Sequence, residues 1–207
     1  MREYSVLFLK AGEEMLYCII GKSSTGKDTI FKKLLEEKEL HLENVVSYTT
    51  RPIRENEVDG VEYHFVDEKR RDELERSGKI IELRRYNTCY GPWDYFTVDD
   101  DNVLIDEKDY IIIGTLESYE KIRKYYGKER VCPIYIEVED GLRLQRALDR
   151  EKKQKNPKYN ELCRRFLADD EDFSKEKLNA AGVKKIFIND SISKTVNEIS
   201  EYIEAHR

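Results

Sequence analysis

The run Gly21-Lys22-Ser23-Ser24-Thr25-Gly26-Lys27-Asp28-Thr29 is the shortest stretch of this chain that carries a definite chemistry. It is a G-x-x-x-x-G-K frame with an apolar run before it and an amphipathic one after it, the context in which such a loop cradles phosphate. Its glycines let the backbone curl so that successive N–H groups converge on anionic oxygens, and the helix N-terminus that follows adds partial positive charge. Lys27 would reach the phosphates being transferred. Gly21, Ser23, Ser24, Thr25, Gly26, Lys27, Asp28 and Thr29 are thus the candidate polyphosphate contacts. Most such loops place Ser or Thr after the lysine, as a Mg²⁺ ligand; here stands Asp28, whose carboxylate is also a hard oxygen ligand, and Thr29 keeps a hydroxyl one position on.

A second constellation begins at Ser47 and reads SYTTRPIRENEVDGVEYHF. Arg51 and Arg54 offer guanidinium forks that match phosphate oxygens bidentately and keep their charge at any working pH. With the hydroxyls of Ser47 and Tyr63 they would hold a monophosphate dianion. Glu82 follows Ile80-Ile81 at a strand edge. A carboxylate accepts two parallel hydrogen bonds, which suits a base with two adjacent donors and rejects one without them. A third set is cationic: Arg146 and Arg150 lie one helical turn apart, and Arg164-Arg165 precede an apolar turn further on. Positive groups of this kind surround a phosphoryl group as its charge shifts in transfer.

Alternating elements must position these groups. Residues 15–20 (MLYCII) read as a short buried strand, and 27–38 as a helix with Ile30, Phe31, Leu34 and Leu35 on one face. Further strands are expected from Val45-Val46 and over 110–114, 131–138 and 185–188. Helices are expected over 116–126, 141–150, 159–181 and 193–205. Strands separated by helices argue βαβ units and a parallel sheet covered on both faces. Residues from about 47 to 100 break the alternation, with strands over 61–66 and 80–85, a charged helix over 67–77 and an aromatic strand over 90–98. The basic run 150–159 reads as a mobile cover between two helices. Residues 4–9 look strand-like and belong to no unit.

Composition bounds the class. The chain has 207 residues with 37 Lys+Arg against 43 Asp+Glu, a net charge of -6, which argues against a nucleic-acid backbone as partner. Its 14 Tyr and 7 Phe supply core volume in an otherwise polar chain. No apolar run approaches the ~18 residues of a membrane span, and the N-terminus lacks a secretory pattern. Cys18, Cys89, Cys132 and Cys163 are widely spaced and read as reduced thiols, with no zinc spacing. A cytoplasmic location is expected.

The Ser47 stretch, taken with Glu82 and the Tyr90-Gly91 pair, resembles guanylate kinase, the family that phosphorylates GMP with ATP. Every fixed element of its pattern, close to S-x-T-T-R-x-x-R-x-x-E-x-x-G-x-x-Y-x-F, is present, and the resemblance is strongest over 21–91. It implies one P-loop domain with a three-layer α/β/α architecture and a parallel core sheet. The core would comprise about 14–46, 102–140 and 182–207, with an inserted β-rich acceptor-binding subdomain at about 47–101 and a helical lid at about 141–181. It further implies ATP as donor with Mg²⁺, and GMP or dGMP as acceptor. Ser47, Arg51, Arg54, Tyr63 and Tyr90 would hold the phosphate and ribose side of GMP, and Glu82 the guanine. Arg146, Arg150 and Arg165 (or Arg164) would fold over both nucleotides, and Asn189 would lie on the adenine side.

Two positions depart from the family. Pro92 stands where a base-touching Thr or Ser is usual. The strand ending Ile112-Ile113-Gly114-Thr115 lacks the family's two acids, although Thr115 offers a hydroxyl. Two alternatives therefore stay open: a kinase of the same fold with another phosphorylated acceptor, such as a ribose bisphosphate, and a catalytically inactive interaction module. A monomer or homodimer is expected.

Overall fold

A computed structural model describes residues 14–206 except 56, 89–90, 101–102 and 104–107. Its centre is β1 (Leu16–Ile20), an LYCII run with every residue buried. Side chains alternate across a strand, so Leu16, Cys18 and Ile20 face one side and Tyr17 and Ile19 the other. Both faces are covered. Cys18 and its neighbours pack with Tyr119 and Ile122 of α3 (Leu116–Tyr126), Phe173, and Leu178 of α6 (Lys175–Ala180). Tyr17 and Ile19 pack with Ile30 and Leu34 of α1 (Lys27–Glu36) and with Val196, Ile199 and Ile203 of α7 (Ile192–Glu204). This is the three-layer arrangement expected of a strand that is apolar throughout.

The sheet runs β2 (Glu43–Asn44), β7 (Tyr110–Ile113), β1, β8 (Val131–Glu137), β9 (Ile186–Ile188), with parallel pairing throughout. After β7 the chain crosses to the other side of β1, so the carboxyl end of β1 opens at a topological switch point, where α/β sheets bind ligands. The phosphate loop leaves β1 there.

The inserted segment builds a second sheet in the order β4 (His64–Phe65), β3 (Tyr48–Thr49), β6 (Gly91–Val98), β5 (Ile80–Thr88). Leu74 of α2 (Glu68–Arg76), Phe96 and Val98 form its small core. The segment expected to form the lid contains α4 (Asp140–Lys152) and α5 (Tyr159–Asp172).

Several boundaries differ from expectation. The helix expected over 159–181 is two helices, because the Ser174 side chain accepts from the Lys177 N–H and caps a new start. The strand expected from Val45-Val46 lies two residues earlier, and the strand expected over 61–66 is only β4. The first helix ends at Glu36 and gives way to a 3₁₀ turn over Lys38–Leu40. Residues 4–9 lie outside the described part.

Candidate active site

The phosphate loop is held open by contacts that leave no room for a side chain at its two glycines. A Cβ on Gly21 would stand 2.5 Å from the Ile136 carbonyl oxygen. At Gly26, where φ is +85°, a Cβ would stand 2.7 Å from Asn189 Nδ2. Asn189 is buried, and its amide donates to the Thr25 carbonyl at 2.7 Å. It therefore braces the loop from behind. Thr25 is buried too, and its hydroxyl donates to the Lys22 carbonyl at 2.9 Å. Ser24 adopts a left-handed backbone (φ 67°), which disfavours a residue with a Cβ. Lys27 opens α1, and among the described residues it makes no ion pair. Asp28 and Thr29 are exposed on the same first turn.

The acceptor side gathers around two buried charges. Arg51 is buried, its guanidinium bonded to Glu57 at 2.6 and 2.7 Å and placed over the rings of Tyr63 (5.1 Å) and Phe65 (5.2 Å). Burial is the largest influence on Arg51 and opposes its charge, but the Glu57 bond and charge together with Tyr95 and Tyr63 more than offset it, so the pKa is raised; in return Arg51 holds the Glu57 carboxyl below its usual range. Glu57 also accepts from the Arg54 N–H at 2.9 Å, which fixes the loop while the Arg54 side chain stays exposed. The Thr-Thr pair preceding Arg51 is structural: Thr49 Oγ1 and the Thr50 N–H both donate to the Asp94 carbonyl, and Thr50 Oγ1 accepts from the Asp94 N–H. Ser47 is buried and Tyr63 half-buried.

Glu82 has no exposed side-chain surface. It accepts from Thr97 Oγ1 at 2.9 Å and from Arg84 at 2.9 and 3.1 Å. Burial disfavours the Arg84 charge, and the adjacent carboxylate more than restores it. The two halves of the site face each other. Lys32 of α1 reaches Glu62 of the inserted segment at 3.8 Å. Tyr90 lies outside the described residues.

The Thr115 hydroxyl is engaged at the start of α3. It caps α3 in a reciprocal box with Ser118, accepting from the Ser118 N–H at 3.2 Å while Ser118 Oγ accepts from the Thr115 N–H at 2.8 Å. Thr115→Ala should destabilise the protein by about 1 kcal/mol, seen as a lower denaturant midpoint, and leave GMP affinity unchanged.

The lid meets the loop through a charge cluster that helix periodicity did not reveal. Arg143, only 1% exposed, pairs with Asp140, Asp169 and Asp170 at 2.9, 3.3 and 2.9 Å and stacks on Phe166 at 3.8 Å. Lys22 donates to Asp170 at 2.6 Å, and the Ser23 N–H donates to Asp169 at 2.8 Å. A backbone donor of the phosphate loop thus already holds an anion. Arg150 and Arg165 line a small cleft together with Ser23, Arg143 and Asp169. Arg146 is half-buried and outside that cleft, and Arg164 is committed to Glu161 at 2.7 Å on the surface. The available signal was the spacing of Arg143, Ala147 and Arg150 along one face of α4. Leu142 and Leu144 disguised it, because both are exposed while the arginine lies inside. Arg143→Met should lower stability by about 2–3 kcal/mol in denaturant unfolding, since it strands carboxylates that are only partly solvated.

A loop at the carboxyl end of β1, an inserted sheet beside it and a helical pair bonded to it through Asp169 and Asp170 form the frame of the site. The guanylate kinase family model matches residues 13–206. The chain belongs to the guanylate kinase family. Among curated guanylate kinases it is 29% identical over 197 residues to that of Wolbachia pipientis, covering 94% of this chain and 92% of that one. It is 32% identical over 123 residues to that of Porphyromonas gingivalis and 37% identical over 108 residues to that of Zymomonas mobilis. Those two matches span 63% and 49% of the relatives' lengths. The crystal structure of guanylate kinase from Anaplasma phagocytophilum shares the fold, with a TM-score of 0.64 at 23% identity, covering 94% of this chain and 86% of that one. Among the described residues of this guanylate kinase family member, no helix is long and apolar enough to cross a membrane, and Cys18, Cys132 and Cys163 are free thiols.

Proposed function

We propose that the chain transfers the γ-phosphoryl group of ATP directly to the phosphate of GMP or dGMP, giving ADP and GDP or dGDP. The observation that carries this reading is the burial of both an arginine (Arg51) and a carboxylate (Glu82) in an inserted segment that reaches the helix after the phosphate loop through Glu62 and Lys32. Arg51 and Arg54, with Ser47, Tyr63 and Tyr90, hold the GMP phosphate and ribose side; Glu82 accepts from guanine N1–H and the 2-amino group. The loop amides and Lys27 hold the ATP phosphates. Arg150 and Arg165, with Arg146 behind them on α4, meet the charge that develops in transfer.

The donor set fits Mg²⁺. Asp28 is an exposed carboxylate on the first turn of α1, Thr29 adds a hydroxyl beside it, and this metal prefers a few protein oxygens with phosphate and water. When bound, Mg²⁺ neutralises phosphate charge. The work of orienting the two nucleotides and excluding water falls to the chain: closure of α4 and α5 keeps the γ-phosphoryl from water until both substrates are present. The reaction takes place in the cytoplasm on small nucleotides, without nucleic acid or membrane, by a monomer or homodimer.

Calorimetric titration tests the acceptor assignment. GMP should bind at least about 100-fold more tightly than AMP, because guanine offers the buried carboxylate two adjacent donors and adenine offers no such pair. Equal affinities would contradict it.

A further inference from the structure

We propose that Arg84 is a displaceable placeholder: it occupies the reading edge of Glu82 in the free protein and is expelled by a base that offers two adjacent donors. The inference rests on the assignment of Glu82 to the acceptor base and goes beyond it.

The argument is one of hydrogen-bond capacity. An ionised carboxylate offers about four acceptor positions, two per oxygen. Arg84 Nε donates to Oε2 at 2.9 Å and Arg84 Nη2 to Oε1 at 3.1 Å. Such a side-on pair takes one position on each oxygen, along the edge where two parallel donors can meet both. Thr97 Oγ1, at 2.9 Å from Oε1, takes a third. One position remains, on Oε2. With Arg84 in place, Glu82 can accept a single bond from a base; it cannot accept the N1–H and the 2-amino group together. A two-donor base must therefore remove the guanidinium, and in doing so it replaces both bonds that it breaks.

The strand builds this arrangement in. Residues 82 and 84 of β5 lie two apart and share a face of the sheet. Glu82 is sealed, whereas the Arg84 side chain is 13% exposed and so has an exit. Tyr86, the next residue on that face, is itself exposed, so the path that Arg84 would take leads out to solvent. AMP, which has no adjacent donor pair, gains nothing by expelling Arg84 and is met with the guanidinium still seated. The placeholder therefore weakens the binding of the correct acceptor and leaves that of the wrong one nearly untouched.

Calorimetry on Arg84→Met, which keeps the length and packing of the side chain, tests this. GMP should bind at least tenfold more tightly than to the unaltered protein, AMP and a non-hydrolysable ATP analogue should change less than twofold, and the rise in Tm on adding GMP should grow. Arg84→Lys, which restores a charged partner, should return GMP affinity to within threefold of the starting value. If Arg84→Met proves too unstable to titrate, Arg84→Gln supplies the same reading, with tightening of at least threefold expected. Unchanged or weaker GMP binding in the soluble variant overturns the placeholder. Glu82→Gln separates the two assignments. If it leaves GMP affinity unaltered, the base assignment fails and the placeholder with it. If it weakens GMP while Arg84→Met brings no gain, only the placeholder fails.

Discussion

Lys27→Ala is expected to lower kcat for phosphoryl transfer from ATP to GMP by about 10³-fold or more, with GMP affinity unchanged. The size follows from what the side chain is free to do. Lys22, five residues earlier, is tied to Asp170 at 2.6 Å, but Lys27 makes no ion pair among the described residues, so its ammonium is available to the transferring phosphates. Alanine is a good helix former, and the first position of α1 places no further demand on it. Stability should move by less than about 0.5 kcal/mol, so lost turnover cannot be assigned to lost fold. The check is a steady-state assay of GDP formation alongside a thermal melt. A variant within tenfold of the starting kcat would remove the loop from the mechanism.

Glu82→Gln is expected to reduce kcat/KM for GMP by about 100-fold, with the affinity for an ATP analogue unchanged. Glutamine keeps the shape and one acceptor, but replaces the other by an N–H₂ that would face a donor of guanine. The substitution also leaves Arg84 without its charge partner. Because that side chain has a way out to solvent, the stability loss should stay near 2 kcal/mol, below the usual range for a broken buried pair. An unaltered kcat/KM for GMP would show that the base is read elsewhere.

What the sequence made legible was local. The phosphate loop is nine consecutive residues, and the glycine spacing that identifies it is also the spacing its close contacts to Ile136 and Asn189 demand. Arg51 and Glu82 belong to one contiguous insertion, and their burial agrees with the chemistry read from residue type. The run 159–181 hid a second helix start, since Ser174-Lys175-Glu176-Lys177 carries a serine cap inside an otherwise helical stretch. Thr115 was read as a free hydroxyl because nothing in residue type says whether a threonine faces a ligand or caps a helix; here Ser118, three residues on, completes the cap.

The lid cluster was illegible for another reason. Asp169-Asp170 lies in the run Asp169-Asp170-Glu171-Asp172, which has the composition of a solvated face, yet its partners are Lys22 and Ser23 nearly 150 positions away and Arg143 on the other lid helix. Only the packed structure shows that three carboxylates converge on one buried guanidinium. The adjacent arginines Arg84 and Arg85 are alike in residue type and differ only in the face of the strand they occupy. Arg85 is solvent-facing and bonds Asp94 at 2.7 Å, whereas alternation along β5 turns Arg84 inward onto Glu82.

The most direct measurement is an acceptor screen with purified protein, ATP and Mg²⁺, following the labelled γ-phosphoryl group into product. Label should appear in GDP from GMP and in dGDP from dGMP, with AMP, CMP and UMP slower by about 10²-fold or more. Label spread evenly over all the acceptors, or released only as inorganic phosphate, would contradict the account.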